Sequence, residues 1–157
     1  MKRLLLLIPV LIFLINCVSS NDLLSEQEQT LIKKNSDTIF AYFNEPLIIK
    51  DLVKTLSLEG YRVISQENPI ITDPKDIGES TQARFTIFVD STTIIATADW
   101  GAGYEAQIMA SSFSGLNVSN STLDVARWDS GRSKRAFASL YKFIKNLNPE
   151  KIETVIK

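Results

Sequence analysis

The sequence predicts an α+β domain, in which an antiparallel sheet of about five to six strands has one helix after its first strand and a C-terminal helix packed across it. Three stretches favour this fold. Residues 84–100 alternate apolar and polar side chains with the period of a strand, whereas residues 46–59 and 131–147 place apolar side chains at helical spacing. Strands joined by short turns, with helices before and after them, indicate a sheet covered on one face.

The domain is predicted to begin with a strand, a helix and two short strands. Thr38–Phe43 is rich in β-branched and aromatic residues, which favours a strand. In the helix that follows, Asn44 or Glu45 can act as the N-cap and Pro46 suits the first turn. Gly60 can end this helix, because glycine adopts the left-handed conformation without strain. The stretches YRVIS and PIIT then read as short strands.

The strongest strand signal is ARFTIFVDSTTIIATADW, a predicted hairpin joined at residues 90–92. The stretch DWGAGYEAQ follows, with Gly101, Gly103 and Ala106 in the order G-x-G-x-x-A of a nucleotide-binding turn. That fold also needs a buried strand leading to an acidic residue about 20 positions further on, and LNVSNSTLD offers no such strand. We therefore expect no nucleotide, and interpret the glycines as the turn into a third strand beginning at Tyr104.

The stretch SGRSKRAFASLYKFIKNLNPEK predicts the closing helix. Ser130 or Ser133 can cap it, a broad apolar stripe runs along one side, and Asn148-Pro149 ends it. A single α+β domain is therefore predicted at residues 38–148, and a C-terminal tail at residues 149–157.

The N-terminus, MKRLLLLIPVLIFLINC, has two basic residues followed by an apolar stretch, which is the layout of a secretory signal. The stretch is shorter than the ~20 residues of a spanning helix and ends at Cys17, the only cysteine in the chain. The alternative to a functional cysteine is an ordinary signal with a chance cysteine near its cleavage site.

The residues LINC resemble the lipobox of bacterial lipoproteins, although Asn16 stands where that motif usually has a small residue. The resemblance implies a lipoprotein signal peptide at residues 1–16 and an acylated Cys17, followed by a lipidated, partly helical tether at residues 17–37. More than one acyl chain makes membrane anchoring stable. In this family Val18 after the cysteine favours the outer membrane over the inner membrane.

Composition restricts the chemistry. The chain has no histidine and one cysteine, which excludes the usual zinc ligand sets, the Ser-His-Asp and Cys-His catalytic groups and an imidazole pH switch. Asp73, Asp76 and Glu79 could form an acid pair for hydrolysis or a solvated loop, and we expect the loop. A formal net charge of −1 does not suggest a nucleic-acid-binding protein. We therefore expect no metal, no cofactor and no enzymatic activity.

Two groups of residues are candidates for contacts with a partner. Arg132, Lys134 and Arg135 gather at the start of the closing helix, where the helix dipole disfavours cations. They could bind an anion or a partner, or form a solvated first turn. Trp100 and Tyr104 flank the glycines of DWGAGYEAQ and could offer an aromatic contact surface.

The order of elements, together with EPLIIKDLVKTLSLEGYRVISQENPIIT, resembles the helix-grip domains of BamC-type envelope lipoproteins. The resemblance implies a lipid-anchored, non-enzymatic envelope protein that acts as a binding or assembly module with an envelope protein partner. The alternative is a carrier of a small apolar ligand or lipid between the sheet and the C-terminal helix. Packing distinguishes the two, because large side chains fill that space in a module and line a cavity in a carrier. The residues concerned are Phe85, Ile87, Phe137, Tyr141 and Ile144.

Overall fold

The computed structural model describes residues 23–103, 123–129 and 131–157. Within these residues the helices are α1 (Glu26–Leu31), α2 (Ile49–Leu58) and α3 (Gly131–Asn146). The strands in the same part of the chain are β1 (Thr38–Tyr42), β2 (Val63–Ser65), β3 (Ile70–Thr72), β4 (Lys75–Asp76), β5 (Thr81–Asp90), β6 (Thr93–Ala102), β7 (Asp124–Val125) and β8 (Lys151–Val155). None of these helices is both long and apolar enough to cross a membrane. The predicted signal peptide and Cys17 lie outside the described residues.

The strands form one antiparallel sheet in the order β2-β3-β5-β6-β1-β8, with β4 paired to β5 and β7 paired to β6. This confirms the predicted α+β class, with eight strands in the described chain instead of five to six. The predicted hairpin is confirmed as well: Asp90 pairs with Thr93, and Ser91 turns the chain with a φ of 51°.

The hydrophobic core lies between one face of the sheet and α3, which packs on β5 and β6. The period of two places alternate residues of these strands on that face. The ring of Phe85 lies 4.5 Å from that of Tyr61 and 6.3 Å from that of Phe143, centroid to centroid. The five large residues predicted for this space are all buried, namely Phe85, Ile87, Phe137, Tyr141 and Ile144.

The domain begins earlier than the predicted boundary at residue 38. Leu24 and Ile32 lie on either side of α1, are each only 5% exposed and belong to the core. Most of the segment 23–37 is therefore part of the folded domain and not a free tether. Ser25 caps α1 in a capping box with Glu28, and Lys145 on α3 forms an ion pair with Glu28. These contacts hold α1 against the closing helix.

The domain also ends later than predicted, because β8 occupies most of the predicted tail at residues 149–157. It pairs with β1 from Thr38↔Val155 to Tyr42↔Lys151. Outside the ladder, the amide of Lys33 donates to Thr154 Oγ1 at 3.1 Å. The tail forms a strand because β6 pairs with only one edge of β1. The other edge of β1 is free to pair with the last apolar and β-branched residues of the chain.

The predicted turn is wrong at Gly101, because β6 runs on to Ala102, and Gly103 follows directly after the strand. Gly101 pairs with Gln82 of β5, so the long hairpin ladder extends through this glycine. Gly103 has a different role. Its amide donates to Ser80 O at 2.7 Å, and a Cβ there would lie 2.8 Å from the Ser80 carbonyl carbon. Tyr104 and the strand predicted to begin with it lie outside the described residues.

Candidate functional site

An open groove of about 770 Å³ lies where the β1–α2 connection meets the connection between α3 and β8. This volume falls within the range of small-molecule and peptide pockets. We call it the α2 groove. It is lined by Phe43, Asn44, Glu45, Pro46, Leu47, Ile48, Asp51, Leu52, Thr55, Leu147, Asn148, Pro149 and Glu150.

One wall of the α2 groove is fixed to the β5–β6 hairpin. The Phe43 amide donates to Thr92 O at 2.8 Å, and the Leu47 amide donates to Ser91 O at 3.0 Å. These bonds hold the chain in an irregular path beside the hairpin turn. The predicted helix start at residues 44–46 is therefore wrong. Helix α2 begins at Ile49, and Ile48 at the N-cap makes no side-chain hydrogen bond.

The other wall follows the end of α3. Leu147 donates to Ile144 O at 3.1 Å, and Asn148 turns the chain away with a φ of 58°. Asparagine tolerates this left-handed conformation better than most residues. The Glu150 amide then donates to Tyr42 O at 2.8 Å, which joins this wall to β1. Both walls are thus hydrogen-bonded to neighbouring parts of the same sheet.

Apolar side chains form the floor of the α2 groove, although polar atoms make up most of its exposed lining. Leu52 is only 4% exposed, whereas Phe43, Leu47 and Leu147 are half-buried and pack on the core. Ile48 stands at the rim with 62% of its surface exposed.

The rim of the α2 groove is acidic. Glu45, Asp51 and Glu150 are exposed, and no Lys or Arg among the described residues lines the groove. Within the described chain, none of the three carboxylates takes part in an ion pair. The groove therefore combines an apolar floor with negative charges that have no internal counter-charge.

The predicted basic cluster is largely used for internal contacts. The Arg135 side chain is 15% exposed, with Nη1 at 2.9 Å from Glu79 Oε1 and Nε donating to Ile77 O at 3.1 Å. Lys134 Nζ donates to Gln29 Oε1 at 3.2 Å and lies 4.4 Å from the centre of the Trp128 ring. Arg132 alone of the three is exposed. The structure does not bring them together as one anion site.

The other predicted residues are the aromatic contact Trp100 and the helix caps Ser130 and Ser133. Trp100 lies on the inner face of β6 beside Ala83, where it is half-buried against the core, and the aromatic contact surface of Trp100 and Tyr104 stays a prediction. Ser133 is no cap. Its hydroxyl accepts from the amide of Arg127 at 2.7 Å and so ties α3 to the segment after β7. Ser130 lies outside the described residues.

The expected solvated loop at Asp73, Asp76 and Glu79 is corrected in part, because Asp76 belongs to strand β4 and all three acidic residues have partners within the protein. Asp73 lies 3.3 Å from Arg62, Asp76 accepts from the Gly78 amide at 2.7 Å, and Glu79 pairs with Arg135. In the described part of the chain, no group of three or more His, Cys, Asp or Glu residues could hold a metal ion.

No protein-family model, no curated protein and no solved structure matches the chain. Function is therefore argued from the α2 groove and from the sequence. Sequence reasoning missed this groove, because Asn44, Glu45, Pro46, Asn148 and Pro149 read as signals for the start and end of helices.

Proposed function

We propose that the chain is a lipid-anchored, non-enzymatic protein of the bacterial cell envelope that binds a protein partner through the α2 groove. The observation that carries this proposal is the groove itself, with its apolar floor, its exposed Ile48 and its unpaired rim carboxylates. Protein interfaces have a similar anatomy, in which an apolar centre is surrounded by a polar rim.

The packing beneath α3 favours this proposal over a carrier of an apolar ligand. Phe85, Phe137 and Ile144 are fully buried between the sheet and α3, and Tyr141 is 6% exposed. A carrier would need these side chains to line an open cavity. Here they fill the space in which the ligand would lie.

The membrane anchor rests on the sequence. Cys17 follows an apolar signal stretch directly, and the lipobox resemblance makes it the site of acylation. Acylation would hold the domain at a membrane surface, with the outer membrane favoured. Fractionation of cells that produce the Cys17→Ala variant tests the anchor: the variant should leave the membrane fraction. A variant that still partitions wholly with membranes would contradict acylation at this residue.

Site-specific crosslinking of the full chain in its host tests the groove. A photo-reactive amino acid replaces Ile48 at the groove rim in one variant and Leu58, at the other end of α2, in the control. Both positions are well exposed, at 62% and 78%. We expect a crosslinked species of defined mass from position 48 and none from position 58. Identical crosslinks from both positions, or none from either, would refute binding through the groove.

A further inference from the structure

We infer that the occupant of the α2 groove is a basic amphipathic segment of the partner, one that presents Lys or Arg together with apolar side chains. This inference rests on the proposed function, since it names the chemistry of the partner for the same groove.

The rim charges are complementary to a cationic partner. Glu45, Asp51 and Glu150 come from three different segments: the β1–α2 connection, the first turn of α2 and the residue before β8. The carboxylates thus flank the apolar floor from both walls. All three are exposed, and none is engaged in an ion pair within the described chain. Complementary charges across an interface increase the rate of association and select against partners of like charge.

The basic residues nearest in sequence do not neutralise this rim. Lys50 and Lys54 belong to α2 but do not line the groove, to which this helix contributes Asp51, Leu52 and Thr55. Lys151 follows Glu150, but its Nζ lies 2.6 Å from Glu153 Oε1. The exposed rim carboxylates are therefore available to pair with basic side chains of a partner.

A simple cation would satisfy only part of the groove. Ile48 exposes 62% of its surface at the rim, and Phe43 and Leu147 are half-buried in the floor. Removing such apolar surface from water favours binding through the hydrophobic effect. A segment with both basic and apolar side chains uses the rim and the floor together.

A peptide-binding experiment with the full chain tests this inference. The chain is held in phosphatidylcholine nanodiscs, and fluorescence anisotropy follows three labelled peptides in which Leu alternates with Lys, Glu or Ser. Empty nanodiscs provide the background. The groove variant carries Glu45→Gln, Asp51→Asn and Glu150→Gln. The matched control variant loses the same number of charges elsewhere on the exposed surface, through Glu67→Gln, Asp90→Asn and Asp124→Asn.

The Lys/Leu peptide should bind the unmodified chain in preference to the other two peptides. Its affinity should fall about tenfold in the groove variant, since three exposed ion pairs each contribute a factor of about two. It should change less than about twofold in the control variant, and binding should weaken as salt is added.

The other outcomes separate the two proposals. If the Glu/Leu or Ser/Leu peptide binds as well as the Lys/Leu peptide, or if both variants lose affinity equally, the basic partner is refuted. The proposed function still stands in that case, provided that Ile48 crosslinks specifically in cells. If no peptide binds and position 48 gives no specific crosslink, both proposals fail.

Discussion

The Thr72→Val substitution tests a side-chain hydrogen bond that takes the place of a backbone partner beside strand β5. The partners of β5 change at this point: Thr86 pairs with Ile71 of β3, and Ala83 pairs with Lys75 of β4. The amide of Phe85 falls between these two pairs. It donates instead to Thr72 Oγ1 at 2.9 Å, and both residues are fully buried.

Valine has nearly the shape of threonine but cannot accept this hydrogen bond. The substitution therefore leaves the buried Phe85 amide without its acceptor, while the packing around the side chain changes little. A buried donor without a partner costs about 1–3 kcal/mol. We expect the free energy of unfolding to fall by about 2 kcal/mol, which lowers the urea midpoint by about 1 M.

Urea unfolding followed by circular dichroism measures this loss. Thr86→Val is the matched control, since Thr86 is adjacent to Phe85 and half-buried on the opposite face of the sheet. The control should change the free energy of unfolding by less than about 0.5 kcal/mol. If both variants change equally, or if Thr72→Val is as stable as the unmodified chain, the hydroxyl does not replace a strand partner.

Three further substitutions or deletions test other parts of the structure. Ser36 is fully buried, and its hydroxyl has no hydrogen-bond partner among the described residues, so Ser36→Ala should raise the free energy of unfolding by about 1 kcal/mol in urea unfolding. The pKa of Glu28 is lowered to about 2, chiefly by its hydrogen bond with Lys145. Folding therefore favours the ionised carboxylate of Glu28. The stability that this carboxylate gives the folded state is complete above pH 4.5, its ordinary pKa, and is lost as the pH falls towards 2. In thermal scans, the unmodified chain should have a higher Tm than the Glu28→Gln variant above pH 4.5, and this difference should shrink as the pH falls towards 2. A chain ending after Asn148 loses β8 and its buried Thr154, and should lose at least about 2 kcal/mol, whereas removal of a free tail would cost less than about 0.5 kcal/mol.

The elements predicted best are those whose signal is local. The β5–β6 hairpin follows from side-chain alternation over its two strands, and α3 follows from its apolar stripe. β8 was missed because residues 149–157 follow a helix end and are few. Its pairing depends on β1, more than 100 residues earlier in the chain. The alternation of Ile152 and Thr154 with charged neighbours could have indicated a strand. That signal is usable only when the free edge of β1 is already known.

The predicted contact residues show the same dependence on distant partners. Arg135 looked like part of a basic surface because the sequence shows its neighbours on α3 and not Glu79, which pairs with it from before β5. Trp100 looked like the end of a hairpin because Gly101 follows it. Glycine also fits within a ladder, and here Gly101 continues the pairing of β6 with β5.

The α2 groove could not be found from either of its walls alone. Residues 43–48 and 147–150 meet because hydrogen bonds from Phe43 and Leu47 reach the β5–β6 turn, while the Glu150 amide reaches β1. These bonds join both walls to the central sheet and form the groove before any partner arrives. A preformed groove avoids the free-energy cost of ordering its own backbone on binding. Variants of the rim carboxylates should therefore act through the charge of the groove and leave its shape intact, so that the salt dependence of partner binding reports directly on the number of rim charges engaged.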